Sequence, residues 1–140
     1  MQYSTFTRYG LRAIIRLALT THETKKPVSV REIAEKEGIS VKYLENIFAI
    51  LKKGNFIYAQ KGKFGGYLLS RPADQISMLD LILNLEGQIA PVRCVEDRNY
   101  CTHDPENCTV LPLWLDLNNN MINTLKDHSL QDMVTENIAK

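Results

Sequence analysis

The sequence contains no long hydrophobic run. A membrane-spanning helix needs roughly 18 or more consecutive apolar residues, and no segment of this 140-residue chain approaches that length. Arginines interrupt the apolar part of the N-terminal segment, and no small-residue cleavage site follows it, so the segment does not have the pattern of a signal peptide. We therefore expect a cytoplasmic protein that does not associate with membranes.

The sequence also lacks the motifs of common enzyme classes. It contains no recognisable nucleophile–base pair and no phosphate-binding loop. A chain of 140 residues corresponds to one domain, or to one small domain with an appendage, and has little room for a substrate pocket. Chains of this size are often completed by a partner subunit. These absences argue against an enzyme.

Cysteine is rare, and its placement is informative. All three cysteines, Cys94, Cys101 and Cys108, lie in the glycine-free stretch CVEDRNYCTHDPENC with six residues in each gap. Under reducing conditions such a group indicates metal or redox chemistry and not a disulfide framework. Converging thiolates can hold an iron–sulfur cluster, and the gaps are longer than the C-x-x-C pairs of zinc ribbons. The spacing favours an iron–sulfur cluster; zinc, a thiol redox switch and unliganded surface thiols are the alternatives.

Charge is balanced over the whole chain but not along it. Residues 1–75 carry 13 Lys/Arg against 6 Asp/Glu, a net charge of +7, whereas residues 76–140 carry 4 against 10, a net charge of −6. The first half would be attracted to a polyanion and the second half repelled by it. We therefore predict a DNA-binding domain over residues 1–75 and a second unit over residues 76–140.

The basic half has the pattern of a winged helix-turn-helix. Apolar spacing predicts helices over residues 5–21 and 30–37, and a third from Ser40 to about residue 53. Two predicted strands, NFIYAQ and GYLLSR, flank the basic, glycine-rich turn KGKFGG. The predicted fold is mainly α with a small β-hairpin. A winged-helix module that binds a protein partner, with no DNA contact, is the alternative function.

The third predicted helix is the candidate recognition helix, whose N-terminal half would enter the major groove. In that groove Asn46 can pair with an adenine edge, and Glu45 can accept from a cytosine amino group. In the wing, lysines would contact phosphates and glycines would let the backbone come close to DNA. The candidate DNA-binding residues are Arg8, Ser29, Arg31, Ser40, Lys42, Tyr43, Glu45, Asn46, Lys61, Lys63, Gly65 and Gly66.

The acidic half is predicted to contain a buried helix capped by Ser77, the cysteine loop of residues 94–108, a long helix from about residue 112 to 127, and a short terminal helix capped by Ser129. The long helix carries an apolar stripe that needs a partner. A second copy of the chain is the simplest partner, and packing against its own domain is the alternative. The stripe comprises Leu113, Trp114, Leu117, Met121, Ile122 and Leu125.

Several segments together resemble a known family. TRYGLRAII, YLENIF, KGKFGGYLLSRP and SLQDMV, with the three-cysteine loop before LPLWLDL, resemble the IscR/NsrR group of dimeric bacterial winged-helix repressors over about residues 1–136. The resemblance implies a homodimer that pairs through the long C-terminal helix and binds a palindromic operator in double-stranded DNA. It also implies an iron–sulfur cluster on the cysteines, 2Fe–2S in preference to 4Fe–4S, whose state changes promoter binding.

Two positions depart from the pattern of that family. Relatives often supply a fourth cluster ligand from a histidine three residues after the last cysteine, which is Leu111 here, or from an acidic residue near position eight, which is Arg8 here. His103 is the nearest nitrogen donor and is the candidate fourth ligand, with a solvated loop histidine as the alternative. Asp104 and Glu106 can offer oxygen.

Overall fold

The computed structural model describes residues 2–101, 103–104 and 106–139, with the side chains of 137–139 excepted. The elements are α1 (Thr5–Thr24), α2 (Val30–Glu37), α3 (Val41–Lys53), β1 (Ile57–Gln60), β2 (Gly66–Leu69), α4 (Met78–Glu86), α5 (Arg93–Glu96), α6 (Leu111–Asp127) and α7 (Leu130–Ala139). The predicted fold class, mainly helical with one small hairpin, is confirmed. In the part of the chain that the structure describes, no helix has both the length and the hydrophobicity to span a membrane.

Serine side chains begin the helices of the basic half. The Ser29 hydroxyl accepts a hydrogen bond from the Glu32 backbone N–H at 3.1 Å, and the Ser40 hydroxyl accepts one from the Tyr43 backbone N–H at 3.1 Å. Each bond satisfies a backbone donor that has no partner within its own helix. Gly38 ends α2 with a φ of 66°, in the left-handed region that glycine tolerates. The caps therefore define the two helices that the sequence predicts.

The hairpin is attached to the helix pair by a third extended segment. β1 and β2 are antiparallel, with Ile57 opposite Leu69. Val28, which precedes α2, exchanges backbone hydrogen bonds of 3.1 and 2.8 Å with Tyr67 of β2. The Tyr67 ring also packs edge to face on Phe48 of α3, with 4.9 Å between ring centroids. These contacts fix the orientation of the wing relative to α3.

The hydrophobic core joins both halves of the chain. Side chains from α1, α2, α3 and β1 pack with Ile76 and Leu81, and with Leu130 and Val134 of α7. Two backbone hydrogen bonds of 2.8 Å hold the start of α7 beside the start of α4. The Met78 N–H donates to the His128 carbonyl, and the Leu130 N–H donates to the Ile76 carbonyl. The terminal helix therefore completes the core of the winged helix.

Helix α6 lies at the edge of this core. None of its residues, all of which the structure describes, is buried in the single chain. The helix contacts α4. Trp114, Met121, Ile122 and Leu125 are half-buried, whereas Leu113 is 61% exposed and Leu117 is 42% exposed. The predicted apolar stripe is thus divided, because part of it packs on the chain's own α4 and part of it faces solvent.

Candidate nucleic-acid interface and cysteine pocket

The outer face of α3 is free to meet another molecule. Leu44, Ile47 and Phe48 are fully buried in the core. The same helical spacing therefore places Glu45 and Asn46 on the opposite, exposed side. The predicted DNA-binding residues that this face exposes are Ser40, Lys42, Glu45 and Asn46.

Tyr43 is the exception on this helix. Its ring is half-buried and packs edge to face against two rings of α1, Phe6 at 6.0 Å and Tyr9 at 5.9 Å between centroids. Edge-to-face contacts of this kind contribute about 0.5–1.5 kcal/mol beyond area burial. The ring of Tyr43 therefore anchors the recognition helix to α1, and a role in DNA contact remains a prediction.

The three arginines of α1 do not form one free basic stripe. Arg12 donates to the backbone carbonyl of Glu37 at 2.8 Å, and the side chains of Arg12 and Arg16 each lie 3.8 Å from a Glu37 carboxylate oxygen. They hold the end of α2 against α1. Arg8 is exposed and donates to the Thr5 hydroxyl at 3.2 Å, and its contact with DNA stays a prediction.

The wing presents cations at its tip. Lys61 and Lys63 are exposed there, and Arg31 is exposed beside Ser29 at the start of α2. The glycines of the wing also have a structural role, and their predicted approach to DNA stays a prediction. A Cβ atom on Gly65 would overlap the Gln60 carbonyl oxygen, and one on Gly66 would lie 2.6 Å from the backbone of Val28. Both glycines are required by the packing of the hairpin itself, whether or not DNA comes close.

The three cysteines converge on one pocket. Cys94 lies in α5, Cys101 follows the 3-10 turn Arg98–Tyr100, and Cys108 lies just before α6. All three are half-buried free thiols. They line the same small pocket, together with Arg98 and Leu111. The donor chemistry of this lining, three sulfurs on one cavity, fits an iron–sulfur cluster.

The first part of the cysteine loop, through residue 101, contains two short helical turns. α5 contacts both the following 3-10 turn and α6. The Arg93 guanidinium lies 4.5 Å from the centroid of the Tyr100 ring, a cation–π distance. Even so, among the residues described, no group of three or more His, Cys, Asp or Glu side chains is close enough to hold a metal ion. The thiols therefore share a pocket without forming a closed coordination sphere.

A fourth ligand is not supplied by the lining that the structure describes. Leu111 faces the cysteine pocket from the first residue of α6, but its side chain has no donor atom. His103 is exposed and lines a neighbouring depression with Cys101 and Cys108, away from Cys94. Arg8 lies at a separate surface with Gln2 and Tyr3. His103 thus remains the predicted fourth ligand, outside the shared pocket.

A polar network links the end of α4 to the start of α1. Glu86 accepts hydrogen bonds from the Ser4 backbone at 3.1 Å, from the Ser4 hydroxyl at 2.8 Å and from the Thr7 hydroxyl. The Thr7 bond is the main cause that lowers the pKa of Glu86; burial opposes it, and the Ser4 bonds add to it. Burial, with the Glu86 charge as a second cause, raises the pKa of Tyr3. Sequence analysis missed this network because its partners are about 80 residues apart.

An exposed recognition helix beside a basic wing defines a DNA-binding protein of the winged-helix class. The chain belongs to the Rrf2 family, described as iron-dependent transcriptional regulators, which it matches over residues 3–136. It is 35% identical to protein rrf2 of Nitratidesulfovibrio vulgaris over 136 residues, 97% of this chain and 89% of that protein. It is 31% identical to IscR of Photorhabdus laumondii over 134 residues, 96% of this chain and 79% of that protein. The predicted family resemblance is confirmed, and these relatives are transcription regulators, not enzymes.

Solved structures give the same result. CymR, described as the global cysteine regulator of B. subtilis, has a TM-score of 0.80 and 28% identity, with 97% of this chain and 98% of that chain covered. IscR of T. potens has a TM-score of 0.76 and 29% identity, covering 97% and 88%. The oxidized form of Staphylococcus aureus CymR has a TM-score of 0.74 and 30% identity, covering 96% of each chain. The fold is therefore that of a winged-helix regulator.

Proposed function

We propose that this chain is a homodimeric transcription repressor that binds a palindromic operator, and that an iron–sulfur cluster on Cys94, Cys101 and Cys108 controls its affinity for DNA. The convergence of all three thiols on one pocket supports the proposal most directly. A bound cluster, 2Fe–2S in preference to 4Fe–4S, would supply chemistry that responds to iron, oxidants or nitric oxide. The cysteines would hold it, and Arg98 would place a positive charge beside it.

The exposed side of α6 supports the homodimer. Leu113 and Leu117 lie on this side, and Leu117, Met121 and Leu125 line a groove along the helix. A second copy would cover the face by presenting the same face in return, as a two-fold axis requires. Recognition helices in such dimers must lie about 34–36 Å apart to enter successive major grooves. The pairing of α6 would set that distance.

The packing of α4 supports a route from the cysteine pocket to the recognition helix. α5 contacts α6, α6 contacts α4, and α4 contacts both α1 and α3. The contacts of α4 are tight, because a Cβ atom on Gly10 of α1 would lie 2.9 Å from Leu85, and one on Gly54 would overlap the side chain of Asn84. A shift of α4 driven from the cysteine loop would therefore move α3.

Anaerobic purification tests the cluster. We expect a coloured protein that contains iron and acid-labile sulfide in equal amounts, and we expect Cys94→Ala, Cys101→Ala and Cys108→Ala each to lose most of both. His103→Ala tests the predicted fourth ligand, because this variant should lose cluster stability only if His103 binds the cluster. Cluster-loaded and metal-free protein are then compared on a panel of promoter duplexes at one salt concentration. Equal affinities across the panel would contradict regulation by the cluster.

A second candidate function uses the same thiols without a cluster. The lining that the structure describes lacks a fourth donor, and the fold is similar to that of an oxidized form of CymR. These observations favour a zinc site or a thiol redox switch as the alternative. A colourless protein with one zinc per chain indicates the former. A metal-free protein whose DNA affinity changes on mild oxidation, and recovers on reduction, indicates the latter.

A further inference from the structure

The tip of the wing carries a side chain that nothing in the described chain covers. Phe64 is 84% exposed, more than any other large hydrophobic residue for which the structure gives an exposure. We propose that Phe64 is a wedge that enters the minor groove at one base step of the operator, so that affinity depends on how easily that step deforms. The proposal rests on the DNA binding proposed above and adds a specificity-determining residue to it.

The backbone that carries Phe64 is held in a tight turn. The Gly65 backbone N–H donates to the Gly62 carbonyl at 3.0 Å and closes the turn that contains Phe64. Close backbone contacts at Gly65 and Gly66 join this turn to β2. Because the backbone is defined before binding, insertion would have to order only the Phe64 side chain, which has few rotatable bonds.

The surroundings of Phe64 indicate DNA and not a protein as its partner. Hydrophobic contact sites for proteins are contiguous apolar patches of a few hundred Å², whereas Phe64 is flanked by Lys61, Gly62, Lys63 and Gly65. The Lys63 ammonium lies 5.7 Å from the centroid of the Phe64 ring. A cation and a ring side by side match a nucleic-acid surface, where phosphates lie next to base and sugar edges.

The position of the wing indicates which groove the ring would meet. Tyr67 attaches the wing both to Val28 and to Phe48 of α3. With α3 in a major groove, the wing lies over the adjoining minor groove. Apolar side chains such as Phe insert between base steps there at a cost of a few kcal/mol for unstacking. Pyrimidine–purine steps such as TA and CA/TG deform most easily. We therefore infer a preference for such a step under each wing.

The test begins with duplexes selected from a randomised library by the full-length wild-type protein. Affinity, salt dependence and DNA bending are then measured for wild type, Phe64→Ala, Phe64→Leu and Lys63→Ala. We expect Phe64→Ala to weaken binding by roughly 10-fold or more, the size of losing one aromatic contact with a base, and to reduce the bend. Its salt dependence should stay unchanged because no charge is removed. Phe64→Leu should recover part of the bend.

Lys63→Ala is the matched control beside Phe64. It should weaken binding to all duplexes alike and lower the salt slope by about one for each wing that contacts a phosphate, while the preference for a flexible step persists. The wedge is refuted if Phe64→Ala keeps the wild-type affinity, bend and step preference; Phe64 would then serve some other contact. If the wild-type protein enriches no duplex at all, the proposed function itself fails, which is a different result.

Discussion

At the scale of single residues, Glu86 carries the clearest electrostatic role in the chain. Its carboxylate accepts hydrogen bonds at the first turn of α1, from Ser4 and Thr7. A negative charge at a helix N-terminus also interacts favourably with the helix dipole. The bonds lower the pKa of Glu86 from its ordinary value of 4.5. A carboxyl group whose pKa is lowered by folding stabilises the folded state above its unfolded pKa, and the contribution disappears as pH falls through the folded pKa.

We therefore predict that Glu86→Gln destabilises the protein at pH 7 but not in acid. Glutamine keeps an acceptor for Ser4 and Thr7 and removes only the charge. A loss of about 0.3–1 kcal/mol, typical of an acidic charge at a helix N-terminus, would lower Tm by roughly 1–4 °C. Thermal unfolding followed by circular dichroism from pH 7 to pH 3 should show the difference closing below about pH 4.5, the ordinary pKa. Glu35→Gln, at an exposed site, is the control. A difference that does not shrink as pH falls through the ordinary pKa of a glutamate would contradict this account.

Residues whose partners are close in the sequence were predictable, whereas residues whose partners are far away in the sequence were not. Ser29 and Ser40 each cap a helix within three residues of themselves, so a short motif is enough to identify them. Arg12 and Arg16 form a regular row, but only the packing of α2 against α1 brings Glu37 to them. Phe64 could have been noticed as the one aromatic residue in a turn otherwise made of lysine and glycine.

At the scale of elements, the two sides of α6 differ in what they can contact. The side with Trp114 and Ile122 is half-buried in the chain, whereas Leu113 and Leu117 face outward. Periodicity alone grouped them as one stripe, because an apolar pattern shows that a helix has partners but does not say how many. The division emerges only when α6 packs against α4 and α5.

We predict that Leu117→Asp separates the dimer, whereas Asn119→Asp does not. Both changes add one negative charge to an exposed position of α6, but on opposite sides of the helix. In a two-fold interface each substitution occurs twice, and an unpaired buried charge costs about 3–5 kcal/mol. Dimer association should therefore weaken by more than about 100-fold for Leu117→Asp, with a parallel loss of operator affinity. Sedimentation at several protein concentrations measures the dissociation constant of the dimer. A dimer that survives Leu117→Asp would place the interface elsewhere.

At the scale of the whole molecule, the hydrophobic core does not follow the boundary that the charge distribution suggests. The net charge changes sign near residue 75, which led to the predicted boundary between a DNA-binding domain and a second unit. The core crosses that boundary, because Ile76, Leu81 and Leu130 are fully buried with residues of α1 and α3. The positions of the charges can be read directly from the sequence. The packing of α7 against the core depends on contacts between residues far apart in the sequence, which the charge pattern does not show. The basic half is therefore stabilised by the acidic half.

We accordingly predict that Leu130→Ala, in the last helix, destabilises the winged helix itself. Removing a fully buried leucine side chain costs about 2–5 kcal/mol, whereas Leu83→Ala, at a position 39% exposed, should cost far less. Urea unfolding at fixed protein concentration is followed by far-UV circular dichroism and by fluorescence of Trp114, the single tryptophan. Both signals should shift together in Leu130→Ala, since the two halves share one core. Two separate transitions, with the winged-helix transition unmoved, would show instead that the halves fold independently.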